Sequence, residues 1–256
     1  MPGICLWTTQ SGGDGAIIVS DRREITVLEL GIEPYDRAWE MQHRLVAARR
    51  AGRVGDVMLL LEHEPVLTLG RRADESNILA PPETLAALGV AVRRVERGGD
   101  VTYHGPGQLV GYPILALHDY DMGASDYMHA LEEVLIRALA QVEVRAFRRD
   151  GLIGVWTEAG KIAALGVRID RGITYHGFAL NVDPIMAHWA LIVPCGLTGV
   201  SVASVRQMRG EAVPMAEMRR LVRQEMAAVF GVTLRDLPDG DVAGWLDRVA
   251  PPVEER

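Results

Sequence analysis

The chain has 256 residues, of which 48% are hydrophobic and 24% charged, and its formal net charge is -7. That balance belongs to a water-soluble domain long enough to bury a substantial core, and the acidity excludes the broad basic surface of a nucleic-acid binder. No stretch reaches the roughly 18 uninterrupted apolar residues of a membrane span, and the N-terminus lacks a basic region leading into an apolar one; a cytoplasmic protein with no nucleic-acid or membrane partner is expected.

Residues 1–23, which include Ser11-Gly12-Gly13-Asp14-Gly15, read as a flexible lead-in. Ile25-Thr26-Val27-Leu28-Glu29-Leu30 then reads as a strand, and Pro34 to about Arg50 as a helix with Ala38, Met41, Leu45 and Ala48 near helical spacing. Asp56 to Leu61 is a buried strand; Glu62-His63-Glu64-Pro65 turns, and Val66 to Gly70 is extended. Pro81-Pro82-Glu83 starts a short helix, and Ala91 to Val95 alternates as a strand does. Residues 125–142 repeat apolar side chains at Tyr127, Ala130, Leu131, Val134, Leu135, Ala138 and Leu139, an amphipathic helix. Short strands are expected around Val144, Ile153, Ile162 to Val167 and Gly177 to Val182, punctuated by Gly151, Gly160 and Gly172. A helix over Pro214 to Phe230 and a frayed tail at Pro251 to Arg256 complete the order. Strands and long helices do not alternate regularly, so the fold class is α/β in its α+β form: a single domain whose mixed, largely antiparallel sheet is flanked by helices.

Of the 27 basic residues, 26 are arginine and one, Lys161, is lysine. A solvated positive charge is served equally well by either residue, whereas only lysine can be brought to give up its proton by burial. Lys161 is therefore a candidate for proton chemistry, with chance retention at a packing position as the alternative. The pairs Arg71-Arg72, Arg93-Arg94 with Arg97, and Arg148-Arg149 would make a patch for an acidic protein only if the fold gathered them.

Three segments can carry chemistry. In Arg97-Gly98-Gly99-Asp100-Val101-Thr102-Tyr103-His104-Gly105-Pro106-Gly107-Gln108, four glycines in twelve residues let backbone approach a ligand and expose N–H donors. Its third glycine of the Gly105, Gly107 series comes at Gly111, one residue late for a dinucleotide loop, and Pro106 does not suit that turn. Around Gly160-Lys161 a phosphate loop would need glycine at Val155 and a hydroxyl residue at Ile162, so none exists; Lys161 instead opens a strand of small and apolar residues that would desolvate an ammonium. In Ile192-Val193-Pro194-Cys195-Gly196 a cysteine stands between a stiff residue and a glycine, which suits an accessible nucleophile. Free cysteine is more commonly inert packing; a lysine placed beside Cys195 would favour the thiolate and supply acid/base catalysis. Cys5 and Cys195 lie far apart without CxxC spacing, so neither a disulfide framework nor a zinc site is expected.

Taken with His176-Gly177-Phe178-Ala179-Leu180-Asn181, these segments resemble, in order and spacing, the signatures of the octanoyltransferases, also called lipoate-protein ligase B. The resemblance covers residues 24–230 and includes Leu60-Leu61-Glu62-His63-Glu64-Pro65; residues 1–23 are an N-terminal lead-in and 231–256 a C-terminal extension outside it. It implies the fold of the biotin and lipoate protein ligase catalytic domain. It also implies transfer of an octanoyl group from acyl carrier protein to a lysine of lipoyl domains, in 2-oxoacid dehydrogenase complexes and the glycine cleavage H protein. Cys195 would be the nucleophile and Lys161 its activator, with no metal and no cofactor. Arg97, Gly98, Gly99, Asp100, Val101, Thr102, Tyr103, His104, Ala164, Leu165, Gly166, Gly177, Phe178 and Ala179 would contact the substrate. Residues 184–189 and 199–204 depart from the common family wording. An ATP-dependent lipoate or biotin-type ligase shares the fold and is the rival reading, but adenylate chemistry has no need of Pro194-Cys195-Gly196. His63, His104 and His176 could each orient a ligand or satisfy a backbone carbonyl, the second being favoured for His63 and His176.

Overall fold

A computed structural model describes residues 23–196, 199–237 and 241–252, with the Cys195 side chain outside that set. Cys5, the glycine-rich lead-in and the end of the tail also lie outside it. The strands are β1 (Glu24–Glu33), β2 (Asp56–His63), β3 (Val66–Leu69), β4 (Ala91–Arg94), β5 (Val101–His104), β6 (Gln108–Ile114), β7 (Phe147–Arg149), β8 (Leu152–Thr157), β9 (Gly160–Asp170), β10 (Ile173–Asn181) and β11 (Thr233–Asp236). The α-helices are α1 (Tyr35–Arg50), α2 (Pro82–Ala87), α3 (Ala124–Gln141), α4 (Val205–Arg209), α5 (Met215–Phe230) and α6 (Val242–Val249).

Eight strands form one sheet in the order β11-β1-β2-β6-β10-β9-β8-β7, and β4-β3-β5 form a second. The α1 crossover makes β1 and β2 parallel, β11 joins β1 in parallel and β4 joins β3 in parallel; the other pairings are antiparallel. Alternation along β2 explains why both faces of the large sheet are covered. Val57, Leu59 and Leu61 pack with Ala38, Met41 and Leu45 of α1 and Leu246 of α6, while Met58 and Leu60 join Leu131, Leu135, Met218 and Leu221 of α3 and α5 on the other face. Truncating a fully buried leucine such as Leu135 costs about 2–5 kcal/mol.

One local expectation shifts. Val144 is buried in the turn after α3, where Glu143 takes a φ of 58°, and the strand starts only at Phe147. Residues beyond 230 supply β11 at the sheet edge and α6, tied to α1 by Arg44, whose Nε donates to Ala250 O at 2.6 Å and whose Nη2 reaches Asp247 at 2.6 Å. The arginine runs are dispersed: Arg93 pairs with Asp36, Arg94 with Glu75, Arg148 with Glu132 and Glu133, and Arg97 is buried. Among the described residues no helix is long and apolar enough to cross a membrane.

Candidate functional site

Within the large sheet β9 and β10 pair through very small residues, Gly177 opposite Gly166 and Ala179 opposite Ala164. A shallow floor results, and β5 with the Arg97–Asp100 loop folds over it. The close approach is enforced by glycine: a Cβ on Gly166 would stand 3.1 Å from Gly98 O and 3.2 Å from Arg97 Cδ, and one on Gly70 would stand 2.4 Å from Gly99 O. Gly98 N–H donates to Val167 O at 3.1 Å, stitching loop to floor. Between them lies a cavity of about 460 Å³. Of the expected substrate contacts, Arg97, Gly98, Gly99, Asp100, Val101, Thr102 and His104 line it from the loop and β5, and Ala164, Leu165, Gly166, Gly177, Phe178 and Ala179 from the floor; Lys161 lines it too.

Tyr103 does not line it. Strand alternation sends Thr102 and His104 toward the cavity and Tyr103 to the opposite side of β5, where it is fully buried, its hydroxyl is 2.8 Å from His188 Nδ1 and its ring meets the edge of Trp189. Tyr103 there packs the core of the smaller sheet.

Arg97 fixes the covering loop. Its buried guanidinium donates to Thr68 O at 2.6 Å, Thr68 Oγ1 at 2.9 Å, Asp100 O at 2.7 Å and Gly98 O at 2.9 Å. These bonds make the guanidinium a template for the turn. Burial holds the nearby imidazoles neutral, and the Arg97 charge adds to it at His104 and His176. His104 falls well below the usual histidine range, chiefly by burial, with His63 and Arg97 adding to it. His63 is lowered to about 4 by burial, and His176 to about 3 by burial and then by Arg97. His63 does satisfy a carbonyl, donating from Nδ1 to Glu33 O at 3.0 Å and accepting from the Tyr112 hydroxyl at 2.7 Å.

His176 behaves otherwise. Beyond the Phe178–Gly111 pair the β6–β10 ladder meets Pro113, which has no N–H. The Thr174 hydroxyl spans the break, donating to Pro113 O at 2.7 Å and accepting from Leu115 N–H at 2.9 Å. In this stretch His176 takes a φ of 53° and gives its N–H to Gln42 Oε1 at 2.7 Å. The left-handed residue suspends the strand's alternation, so Tyr175 and His176 stack side by side at 4.9 Å and the imidazole turns into the cavity wall. Its Nε2 is buried and has no hydrogen-bond partner among the described residues. Tyr35, Tyr112, Met128, Leu152, Ile153 and Arg72 line the cavity as well. Sequence reasoning passed over these, because they come from α1, β6, α3, the β7–β8 hairpin and the β3 turn, and nothing local marks their convergence.

Lys161 and the Pro194–Gly196 turn meet at a second, small cavity that also touches Thr102, Ala164, Ala179 and Val202. The connection is built from backbone. Lys161 N–H donates to Ser201 O at 2.9 Å and Ala203 N–H donates to Lys161 O at 2.9 Å, which clamps the segment after the turn to the start of β9. On the other side Val193 N–H donates to Asn77 O at 2.7 Å, Asn77 Nδ2 donates to Asp100 Oδ2 at 2.9 Å, and Asp100 Oδ1 accepts from Val101 N–H at 2.6 Å. A Cβ on Gly196 would stand 2.5 Å from Asp100 Oδ2, so this turn abuts the covering loop directly. Among the described residues no group of three His, Cys, Asp or Glu side chains could hold a metal.

The family described as "Lipoyl protein ligase A/B catalytic domain" matches residues 34–227, which span the small-residue floor, the Arg97–Asp100 loop, Lys161 and the Pro194–Gly196 turn. The chain is 46% identical over 211 residues to an octanoyltransferase of Chloroflexus aggregans, covering 81% of this chain and 96% of that one, and 47% identical over 207 residues to one of Gloeobacter violaceus, covering 80% and 90%. Two solved structures share its mixed α/β fold: a putative lipoate protein ligase from Thermoplasma acidophilum, TM-score 0.69 at 14% identity over 88% of this chain and 92% of that one, and a lipoate-protein ligase A bound with ATP, 0.63 at 13% over 89% and 93%. The chain belongs to the octanoyltransferase family and is an acyltransferase.

Proposed function

We propose that this acyltransferase moves an octanoyl group from acyl carrier protein to a lysine of lipoyl domains, through a thioester on Cys195, in lipoyl cofactor synthesis. The observation that carries this reading is the junction of Lys161 and the Pro194–Gly196 turn at one end of the small-residue channel. The Cys195 thiolate would attack the carrier thioester, forming the new S–C bond. Collapse expels the carrier thiol, which takes its proton from the Lys161 ammonium. In the second half the acceptor amine attacks the Cys195 thioester, the neutral Lys161 amine takes the proton released, and the cysteine leaves as thiolate. Exchange between thioesters is nearly balanced and amide formation is downhill, so neither ATP nor a metal is required. The acyl chain would lie on the β9–β10 floor under the Arg97–Asp100 loop, and lipoyl domains of 2-oxoacid dehydrogenase complexes and the glycine cleavage H protein would be the acceptors.

The test is the intact mass of the wild type and Cys195→Ala after incubation with octanoyl-acyl carrier protein without ATP. One added octanoyl group on the wild type only, discharged by a lipoyl domain, is the expected result. No adduct, with lipoyl-domain modification from free acid only when ATP is present, would refute the reading and favour an adenylating ligase.

A further inference from the structure

We infer that the ring of Trp156 is a positioning surface for the Lys161 amine, reached through a slot that Gly154 leaves open. The inference rests on the reading of Lys161 as the acid/base of the transfer. A register shift between Val155 and Trp156 sets Trp156 directly opposite Lys161 in the β8–β9 ladder, and directly opposed residues project from the same face. Lys161 Nζ lies 5.2 Å from the centroid of the Trp156 ring, within the range of a cation–π contact. Trp156 is fully buried, so the contact is shielded from water.

Gly154 stands two residues before Trp156, on the same face. A Cβ there would lie 2.4 Å from Lys161 Cε and 3.1 Å from Nζ, so any side chain would displace the lysine. The slot is rigid from behind: Gly154 N–H donates at 2.9 Å to Oε1 of Glu132, a buried carboxylate whose other oxygen takes Arg148 Nε at 3.1 Å. A second cation shares the ring, since the Arg149 guanidinium carbon is 4.5 Å from its centroid.

A lysine that returns a proton to a leaving group must hold its amine at a fixed place without having its charge fixed. Its four-carbon stem is flexible. A carboxylate would order it at the cost of locking the ammonium, whereas a ring face orients the amine and takes no proton. The Trp156 face thereby restricts where the Lys161 amine sits.

The experiment replaces Trp156 site-specifically with tryptophans of increasing fluorination, which keep the ring's shape and weaken its negative face. Turnover with octanoyl-acyl carrier protein and a lipoyl domain is measured, together with the rate of Cys195 alkylation by iodoacetamide and the melting temperature. We expect kcat to fall stepwise to roughly a tenth, alkylation to slow in parallel, and KM and melting temperature to hold. A kcat that stays flat across the series overturns the inference. Cys195→Ala, run alongside, separates the two levels: turnover by that variant would remove the covalent reading itself, whereas an inactive Cys195→Ala with a flat fluorination series removes only the role of Trp156.

Discussion

Acid should destabilise this protein through its buried imidazoles, and His63 gives the cleanest measure. The residue is fully buried, its Nδ1 hydrogen is committed to Glu33 O, and its Nε2 accepts from Tyr112, so a second proton would meet a donor already in place. Burial lowers its pKa from 6.5 to about 4. Below pH 6.5 the unfolded chain takes up a proton that the folded chain refuses until about pH 4, so stability is complete above this window and is lost as pH falls through it. At ~1.4 kcal/mol per pH unit the loss is about 2 kcal/mol by pH 5 and about 3 kcal/mol by pH 4, against a typical total of about 5–15 kcal/mol. Urea unfolding of the wild type and His63→Gln at pH 7 and pH 5 isolates it, because other acid-sensitive groups are common to both. The variant should start less stable and lose about 2 kcal/mol less over that interval. Parallel losses in the two proteins would refute the argument.

Tyr103→Phe should cost about 1 kcal/mol of stability through its lost bond to His188 while kcat/KM stays within about twofold; a large activity loss would return Tyr103 to the substrate site. Gly166→Ala, whose methyl would press on Gly98 O and Arg97 Cδ, should narrow the channel and lower kcat/KM roughly ten- to hundredfold, checked by steady-state kinetics with carriers of different acyl length. Asp100→Ala removes the partner of both Asn77 and Val101 N–H and should slow acyl-enzyme formation roughly tenfold in a single-turnover mass assay; an unchanged rate would deny the turn its support. Lys161→Arg should fold normally by circular dichroism and lose most of its activity, since arginine keeps its proton.

What the sequence made legible follows from how far each signal reaches. Helix α3 was visible because its buried residues recur every three or four positions and all face one core. The floor was pointed to only by the family resemblance; that Gly166 and Gly177 stand opposite each other and under a loop is visible only in the fold. The parallel placement of β1 beside β2 was not, since either direction would bury the same apolar alternation, and only the length of α1 allows the crossover. Tyr103 faces away from the cavity that Thr102 and His104 line, because a strand turns neighbours in a motif to opposite faces. His176 was undervalued for the converse reason, since its left-handed backbone breaks the alternation that would have hidden it.

The lone lysine of an arginine-rich chain now has a physical setting. Exposed bases such as Arg71 and Arg171 face solvent, where the choice between guanidinium and ammonium is indifferent. Position 161 is different: the side chain is 8% exposed, its stem crosses Gly154 at a distance that excludes even a methyl group, and its backbone is clamped on both sides by Ser201 and Ala203. The same contacts set where the amine ends, because the strand that fixes its Cα also holds the segment that follows Cys195. Distance in sequence between residues 161 and 195 is thereby converted into a fixed relation between one side chain and one turn, and that relation is what acyl transfer would require of them.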